Sequence, residues 1–552
     1  MRREWTTASL NRREMLKLGA SAVAAGAVGN AVMLADPGPA GAQTPKRGGI
    51  FRFPGFDPPH FDPYQTPHWW TFINLSLTHS RLLKVKAGPA VPPGTQPIEP
   101  DLAESWTRPD DTTWVFSLKK GVRWHNKPPV HGRELTAEDV KYTYDRAMTV
   151  AGNPNRSAVD EIERVEAVDR YTVKFTTKVP YAWFLDVPAQ LFIIPREAVE
   201  KFGDLKKPET VIGTGPWMLE RYDPNVRCTY VRNPGYFVAG LPYADGVEIT
   251  IDPDPASKFA AWLAGKYDFA PELGMVVRRV DLENARRRKP NLQTVEFIWL
   301  VSVVGVIKVD EDPFKDVRVR RAMALAGNPQ EMLEANPFAA GQGALNPTVP
   351  AALSEWSIPI DQLPPDGRRL YRQDIPEAKR LLAEAGFPNG LKIPVESTGS
   401  WGPDFLDLVQ VMVKNWKAAG IDVDLKLKEG GAFIASTIGR KFEKAAITLR
   451  GGATSPDPYL VSGHLPGQPL NLAGVNDPKL SEMIKLQRRT FDVARRREIV
   501  YDIQRHLSEQ VYYLYTSPSA KVIGGWEPYV KNFMPNIGND YGGRLMAAWL
   551  DR

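Results

Sequence analysis

One cysteine in 552 residues, Cys228, sets the first limit. A single thiol forms no intrachain disulfide and no cysteine-based zinc cluster. Histidine is sparse too: His60, His68, His79, His125, His131, His464 and His506 are scattered, and no two stand at i, i+4 on a helix. There is no Gly-x-Ser-x-Gly elbow and no His-Glu-x-x-His pair, so the common hydrolase signatures are missing. A net charge of +6 is too small and too spread to point to nucleic acid or a membrane surface. After the first 42 residues, no stretch approaches the ~20 apolar residues of a membrane span.

What is present is ordinary for a soluble globular protein, 43% hydrophobic and 24% charged, and long enough for several domains. Fifteen tryptophans and 49 prolines imply aromatic-lined surfaces and much loop. The N-terminus reads as an address. Arg12-Arg13 precedes Met15, Leu16 and Lys17, a weakly apolar run follows, and Ala40-Gly41-Ala42 offers a small-residue cleavage site before Gln43. We expect a twin-arginine signal peptide over residues 1–42 and a periplasmic mature protein. No cysteine follows the apolar run, so no lipid anchor is expected.

Residues 98–148 organise the rest. Residues 100–106 read as a short polar entry. Residues 113–118 alternate, with Trp114, Phe116 and Leu118 on one face, which predicts a half-buried strand. Residues 136–148 predict a helix capped by Thr136 with Asp139 at the third position, its buried stripe Val140, Tyr144, Ala147 and Met148. The wording of this stretch, Pro-x-Leu-Ala-Glu-Ser-Trp, then Trp-x-Phe-x-Leu-x-x-Gly, then Leu-Thr-Ala-Glu-Asp-Val-x-Tyr-x-x-x-Arg, resembles the family 5 solute-binding proteins of ABC transporters, the dipeptide, oligopeptide and nickel-binding group.

Further words extend the resemblance. Gly48-Gly49 opens a first strand, and the loop from Phe56 runs to Asp62-Pro63. Gly213-Thr214-Gly215-Pro216-Trp217 lacks the Gly-Lys-Ser/Thr ending of a phosphate loop and reads as a tight turn. Pro313-Phe314 leads into a helix capped by Asp316, with Val319, Ala322, Met323 and Ala326 buried; Lys308 stands upstream where the family usually has Asn. Asp374 caps another helix closed by Gly386, and residues 405–427 read as helix then strand. Residues 480–511 read as one long helix whose arginines, Arg488, Arg489, Arg495, Arg496 and Arg497, face solvent. Asp252 and Asp254 read as a turn, and residues 263–268 as a helix end followed by a strand.

The resemblance implies an α/β fold of two lobes, a type II periplasmic-binding-protein architecture with an extra subdomain. Lobe 1 would take residues 43–80, 205–300 and 515–552, the subdomain 81–204, and lobe 2 residues 301–514. It implies a non-enzymatic, monomeric binding component without cofactor, which closes on a small polar or peptide-like solute and docks on an inner-membrane ABC permease. An exported hydrolase, or a periplasmic chaperone or sensor on the same fold, are the other readings. Its cleft would hold Phe56, Trp69, Trp401, Arg450, Gly451, Thr454 and Asn471. Of the pair Trp69-Trp70, at least one is expected in the core. Arg450 suits a carboxylate or phosphate, or else an ion pair with an acidic neighbour. Peptide-binding relatives carry an Asp for the peptide amine where Thr454 stands and a Trp where Gly451 stands, so Gly451 is expected to open space; a shifted alignment offers Asp457 for the amine. Asn471 is a cleft residue or a turn cap. His60 and His68 are loop histidines near the implied cleft, and no metal is expected.

Overall fold

Two separate sheets carry the two lobes. The computed structural model describes residues 44–552 except 273, 274, 347 and 452, so the signal-peptide expectation lies outside the described residues. Within the unit Lys46–Arg552, the first sheet orders Ile50–Gly55, Gly246–Ile251, Arg227–Arg232 and Trp217–Asp223. Ile50–Gly55 runs parallel to Gly246–Ile251, with Phe51 opposite Val247 and Phe53 opposite Ile249. These four side chains enter one core with Trp70, Trp217 and Tyr541.

The second lobe is built on a five-stranded sheet, Ile421–Lys428, Leu391–Thr398, Ala445–Arg450, Ser302–Ile307 and Tyr513–Leu514. Every residue of Ser302–Ile307 is buried, which fits a central strand covered on both faces. Helices Val317–Ala326 and Pro403–Ala418 cover one face. Asp316 caps the first, accepting from the Arg318 N–H at 2.8 Å, and Val319, Ala322, Met323 and Ala326 are buried as expected. A smaller sheet of Gln293–Ile298, Ser519–Trp526 and Val276–Val277 packs through Val276, Phe297 and Val522 into a core shared with Val304, Val306 and Ala446 of the five-stranded sheet. The chain crosses from it into the second lobe at residues 299–301 and returns at 515–518.

Residues 98–148 supply two strands of a four-stranded antiparallel sheet ordered Ala103–Thr107, Thr113–Leu118, Thr172–Thr177 and Ile162–Asp169, while Ile98–Pro100 pairs separately with Leu83–Val85. Thr113–Leu118 has the expected alternation, and helix Ala137–Thr149 has the expected cap, the Thr136 N–H donating to Asp139 Oδ2 at 2.9 Å. Val140, Tyr144 and Ala147 are buried against Phe175 and its neighbours. The polar entry is a correction: residues 98–107 contribute two short strands, Ile98–Pro100 and Ala103–Thr107, because pairing with neighbours satisfies their backbone despite the polar side chains.

Gly213 and Gly215 form the expected turn. A Cβ at either would run into the backbone of Thr78, and the Gly215 N–H donates to the Thr78 carbonyl at 2.9 Å. Asp254 caps helix Pro255–Leu263, and Asp252 accepts from the Asp254 N–H at 3.0 Å, so this pair is a turn. No strand follows that helix directly; Phe269 makes only a single bridge to Trp526. Residues 480–511 are also corrected. They form two helices, Pro478–Arg489 and Val493–Gln510, divided where Asp492 accepts from the Arg495 N–H at 2.7 Å. Arg488 and Arg496 are buried rather than solvated, for reasons that belong to the cleft.

Candidate functional site

A cavity of about 450 Å³ lies between the lobes. On the first lobe its wall begins at helix Trp69–Thr78, whose first-turn residues Trp69 and Phe72 line it, while Trp70 turns into the core. Phe72 stacks on Phe192 at 6.2 Å, and the Arg81 guanidinium lies 4.1 Å from the Phe192 ring on the same wall. Arg81 Nη1 meets Asp540 Oδ2 at 3.1 Å. Asp540 also caps helix Tyr541–Leu545, accepting from the Gly543 N–H at 3.0 Å. Arg544, in that helix, donates from Nη2 to the carbonyls of Ile537 and Gly538, each at 2.6 Å.

The opposite wall is the end of strand Ala445–Arg450, the loop after it and helix Pro456–His464. Arg450 donates from Nη2 to the Tyr459 carbonyl at 2.8 Å and lies 4.5 Å from the Tyr513 ring. No described carboxylate lies within ion-pair distance of Arg450, so the alternative of an acidic neighbour is not realised among the described residues. Burial, reinforced by the Arg450 charge, pushes His464 down to about 3 and keeps it neutral. Tyr513 donates its hydroxyl to the Gly463 carbonyl at 2.8 Å, which fixes the aromatic platform under Arg450.

The subdomain closes one side of the cavity with residues 181–192, and the same segment grips the second lobe. The Ala182 N–H donates to the Arg488 carbonyl at 2.6 Å, and Trp183 Nε1 donates to Gln487 Oε1 at 2.6 Å. Arg488 reaches Asp457 at 3.1 Å and also pairs with Glu161, while its guanidinium stacks over Tyr181. Arg496 lies 4.3 Å from the Trp183 ring. These two arginines are therefore the polar core of a clasp between subdomain and second lobe. Asp186, on the cavity side of the clasp, is pushed up to about 6 by burial, against the opposing pull of Ser455 and Arg496.

Trp69, Arg450, Gly451 and Thr454 all line the cavity. Gly451 does not open space: a Cβ there would meet the Leu300 carbonyl oxygen at 2.5 Å and Val301 Cα at 2.7 Å. The loop thus rests directly on the first crossing between the lobes. Asp457 also lines the cavity, but both carboxylate oxygens are taken, Oδ1 by Gln487 at 2.6 Å and Oδ2 by Arg488 and Tyr181. Its charge is already met by Arg488.

The other three expected residues lie outside the lining. Phe56 packs on Trp70 at 5.9 Å, with Lys258 Nζ 4.9 Å from its ring, because the loop it occupies folds back on the first-lobe core. Trp401 packs between Phe405 and Phe433, at 4.9 and 5.6 Å. Asn471 caps a turn, donating to the Leu465 and Val475 carbonyls and accepting from the Val475 N–H; its neighbours Leu470 and Leu472 line the cavity instead. His60 accepts from the Asp62 N–H at 3.1 Å. No group of three potential metal-ligating side chains occurs among the described residues, and no helix among them is long and apolar enough to cross a membrane. Arg81, Asp186, Asp540 and Arg544 were not foreseen, since each is a lone charge in a segment without a motif.

The sequence matches the family described as "Bacterial extracellular solute-binding proteins, family 5 Middle" over residues 97–467. It is 28% identical to di/tripeptide-binding protein 1 of Pseudomonas aeruginosa, over 82% of this chain and 86% of that one. Heme-binding protein A of Haemophilus influenzae is 29% identical, over 62% and 63%. Among solved structures, the oligopeptide-binding protein AppA of Bacillus subtilis, in complex with a nonapeptide, superposes with a TM-score of 0.78 at 20% identity, covering 92% of this chain and all of that one. A family match across most of the chain, on two lobes about a shared cavity, places this chain among the bacterial extracellular solute-binding proteins of family 5, the substrate-binding components of ABC importers.

Proposed function

We propose that the protein captures a small polar or peptide-like solute in the periplasm by closing its lobes and passes it to an inner-membrane ABC permease. The observation that carries this is the cavity itself, walled by both lobes and the subdomain, with a guanidinium on each lobe. Residues 299–301 and 515–518 act as the hinge. Ligand binds the closed form preferentially and shifts the population towards it. The segment 1–42 directs export by the twin-arginine route, and the mature chain works as a monomer. Peptide binding by the Pseudomonas aeruginosa relative supports a peptide-like solute. Thr454 is neutral and Asp457 is already engaged by Gln487, Arg488 and Tyr181, so neither of these two positions presents an uncommitted carboxylate to a peptide's free amine. Mass spectrometry of small molecules released from purified protein identifies the solute. Adding it back should raise the melting temperature and compact the protein in solution scattering; a cognate solute that does neither sinks the closure mechanism.

A further inference from the structure

Three residues of the cavity wall carry hydrogen-bond donors that no acceptor among the described residues satisfies. Arg81 is 5% exposed and Arg544 4% exposed, yet Arg81 Nε and Arg544 Nη1 meet no acceptor among the described residues. Trp69 Nε1 on the same wall is buried and also without an acceptor. A buried N–H left unpaired costs ~1–3 kcal/mol, more for a charged group. These three donors belong to side chains that line one wall of the cavity, though the N–H groups themselves are covered.

The charges agree. Asp457 is committed to Arg488, and Asp540 is shared between Arg81 and a helix cap. Asp186 is the lining carboxylate left with a buried oxygen lacking a partner, and Arg496 acts on it from behind. Against it stand Arg450, held by a backbone carbonyl and by Tyr513, and Arg544, held by backbone carbonyls and a ring, with the exposed Lys86 at the rim. The surplus inside the cavity is cationic, and it faces inward from both lobes.

We infer that the solute is an organic oxyanion, whose acidic group is held between Arg450 on the second lobe and Arg81 and Arg544 on the first, beside Trp69. This rests on the capture function proposed above and names its ligand class. A guanidinium fork matches a carboxylate or a phosphate in two parallel hydrogen bonds, and a ligand engaging both walls is bonded fully only when the lobes are shut. The binding determinant is then the acid, not an α-amine.

The test is a panel of small organic carboxylates and phosphate monoesters, each matched with its neutral amide or its parent alcohol, together with free-amine and N-acetylated tripeptides. Melting temperature and solution scattering are read for each. We expect the stabilising members to be acids, at least a tenfold loss of affinity on conversion to the neutral match, and no loss on N-acetylation of a peptide. Carboxylate and phosphate arms separate the two sources of the oxyanion. Arg450→Gln should weaken binding of the best acid at least tenfold, with Arg450→Lys intermediate, while near-ultraviolet circular dichroism of the ligand-free variants stays that of the wild type. Stabilisation by neutral or cationic members equal to that by the acids, or by none of the acids, overturns the inference. If a neutral member compacts the protein, capture by closure survives and the anion preference falls. If neither the panel nor the co-purified solute compacts it, capture itself falls.

Discussion

Asp62 and Arg146, 84 positions apart, form a two-point ion pair inside the protein, with Arg146 Nη2 at 2.5 Å from Asp62 Oδ2 and Nη1 at 3.2 Å from Oδ1. Asp62 is fully buried and also accepts from the N–H groups of Tyr64 and Leu205. The pair ties the first loop of lobe 1 to the helix of the subdomain. Arg146→Ala leaves a buried carboxylate uncompensated and should cost ~3–5 kcal/mol. The double variant Asp62→Asn with Arg146→Met should cost less than Arg146→Ala alone. Urea denaturation measures both; a single variant within 1 kcal/mol of wild type would show that the pair is not structurally required.

Three histidines make the fold sensitive to acid. Burial pushes His79, His125 and His464 down to about 3, so each is neutral when folded. Unfolded, they titrate near 6.5. Between those values the unfolded chain binds protons that the folded chain refuses, so stability falls as pH falls from about 6.5 to 3. Each histidine adds ~1.4 kcal/mol per pH unit to that slope. His125 accepts from the Gly213 N–H and contacts the Gly215 carbonyl, both 3.2 Å away. The expected result for His125→Gln is lower stability at every pH but a shallower acid slope. An unchanged slope would mean that His125 charges freely in the folded state.

The resting place of Gly451 on the crossing segment makes a small substitution costly. Gly451→Ala would push a methyl group into Leu300 and Val301. We expect a loss of ~1–3 kcal/mol, typical of overpacking. Gly399→Ala, where nothing lies within 4 Å of the added carbon, is the control and should stay within about 0.5 kcal/mol. Equal effects at the two sites would contradict the close packing at Gly451.

Opening the clasp should open the cleft. Arg488→Met strands Asp457 and Glu161 and removes the stack on Tyr181. The ligand-free variant should show a larger radius of gyration than wild type, and ligand affinity should fall in proportion to the lost closed population. Identical scattering curves for the two proteins would mean that the clasp does not hold the lobes together.

Local patterns were readable without the fold. Thr113–Leu118, the capped helix at Thr136 and the stripe after Asp316 follow from alternation, 3.6-residue spacing and caps, all settled within a dozen residues. What failed needed long-range partners. Arg488 and Arg496 look like a solvated face because their contacts, Glu161 and residues 181–183, lie some 300 positions away. Phe56, Trp401 and Asn471 stand in loops near the cleft, but the direction of a loop side chain is set by whatever packs behind it, and each turns to its own core or turn. Arg81 and Arg544 carry no local signature; only the fold sets them on one wall beside Asp540.

The placing of the cavity's guanidinium groups on opposite walls, Arg450 on one and Arg81 with Arg544 on the other, bears on unloading as much as on loading. An acid shared between the two walls loses one partner when they part. In the cycle proposed above, a docking partner that pries the cleft ajar would weaken the hold on the cargo without offering it any new attraction.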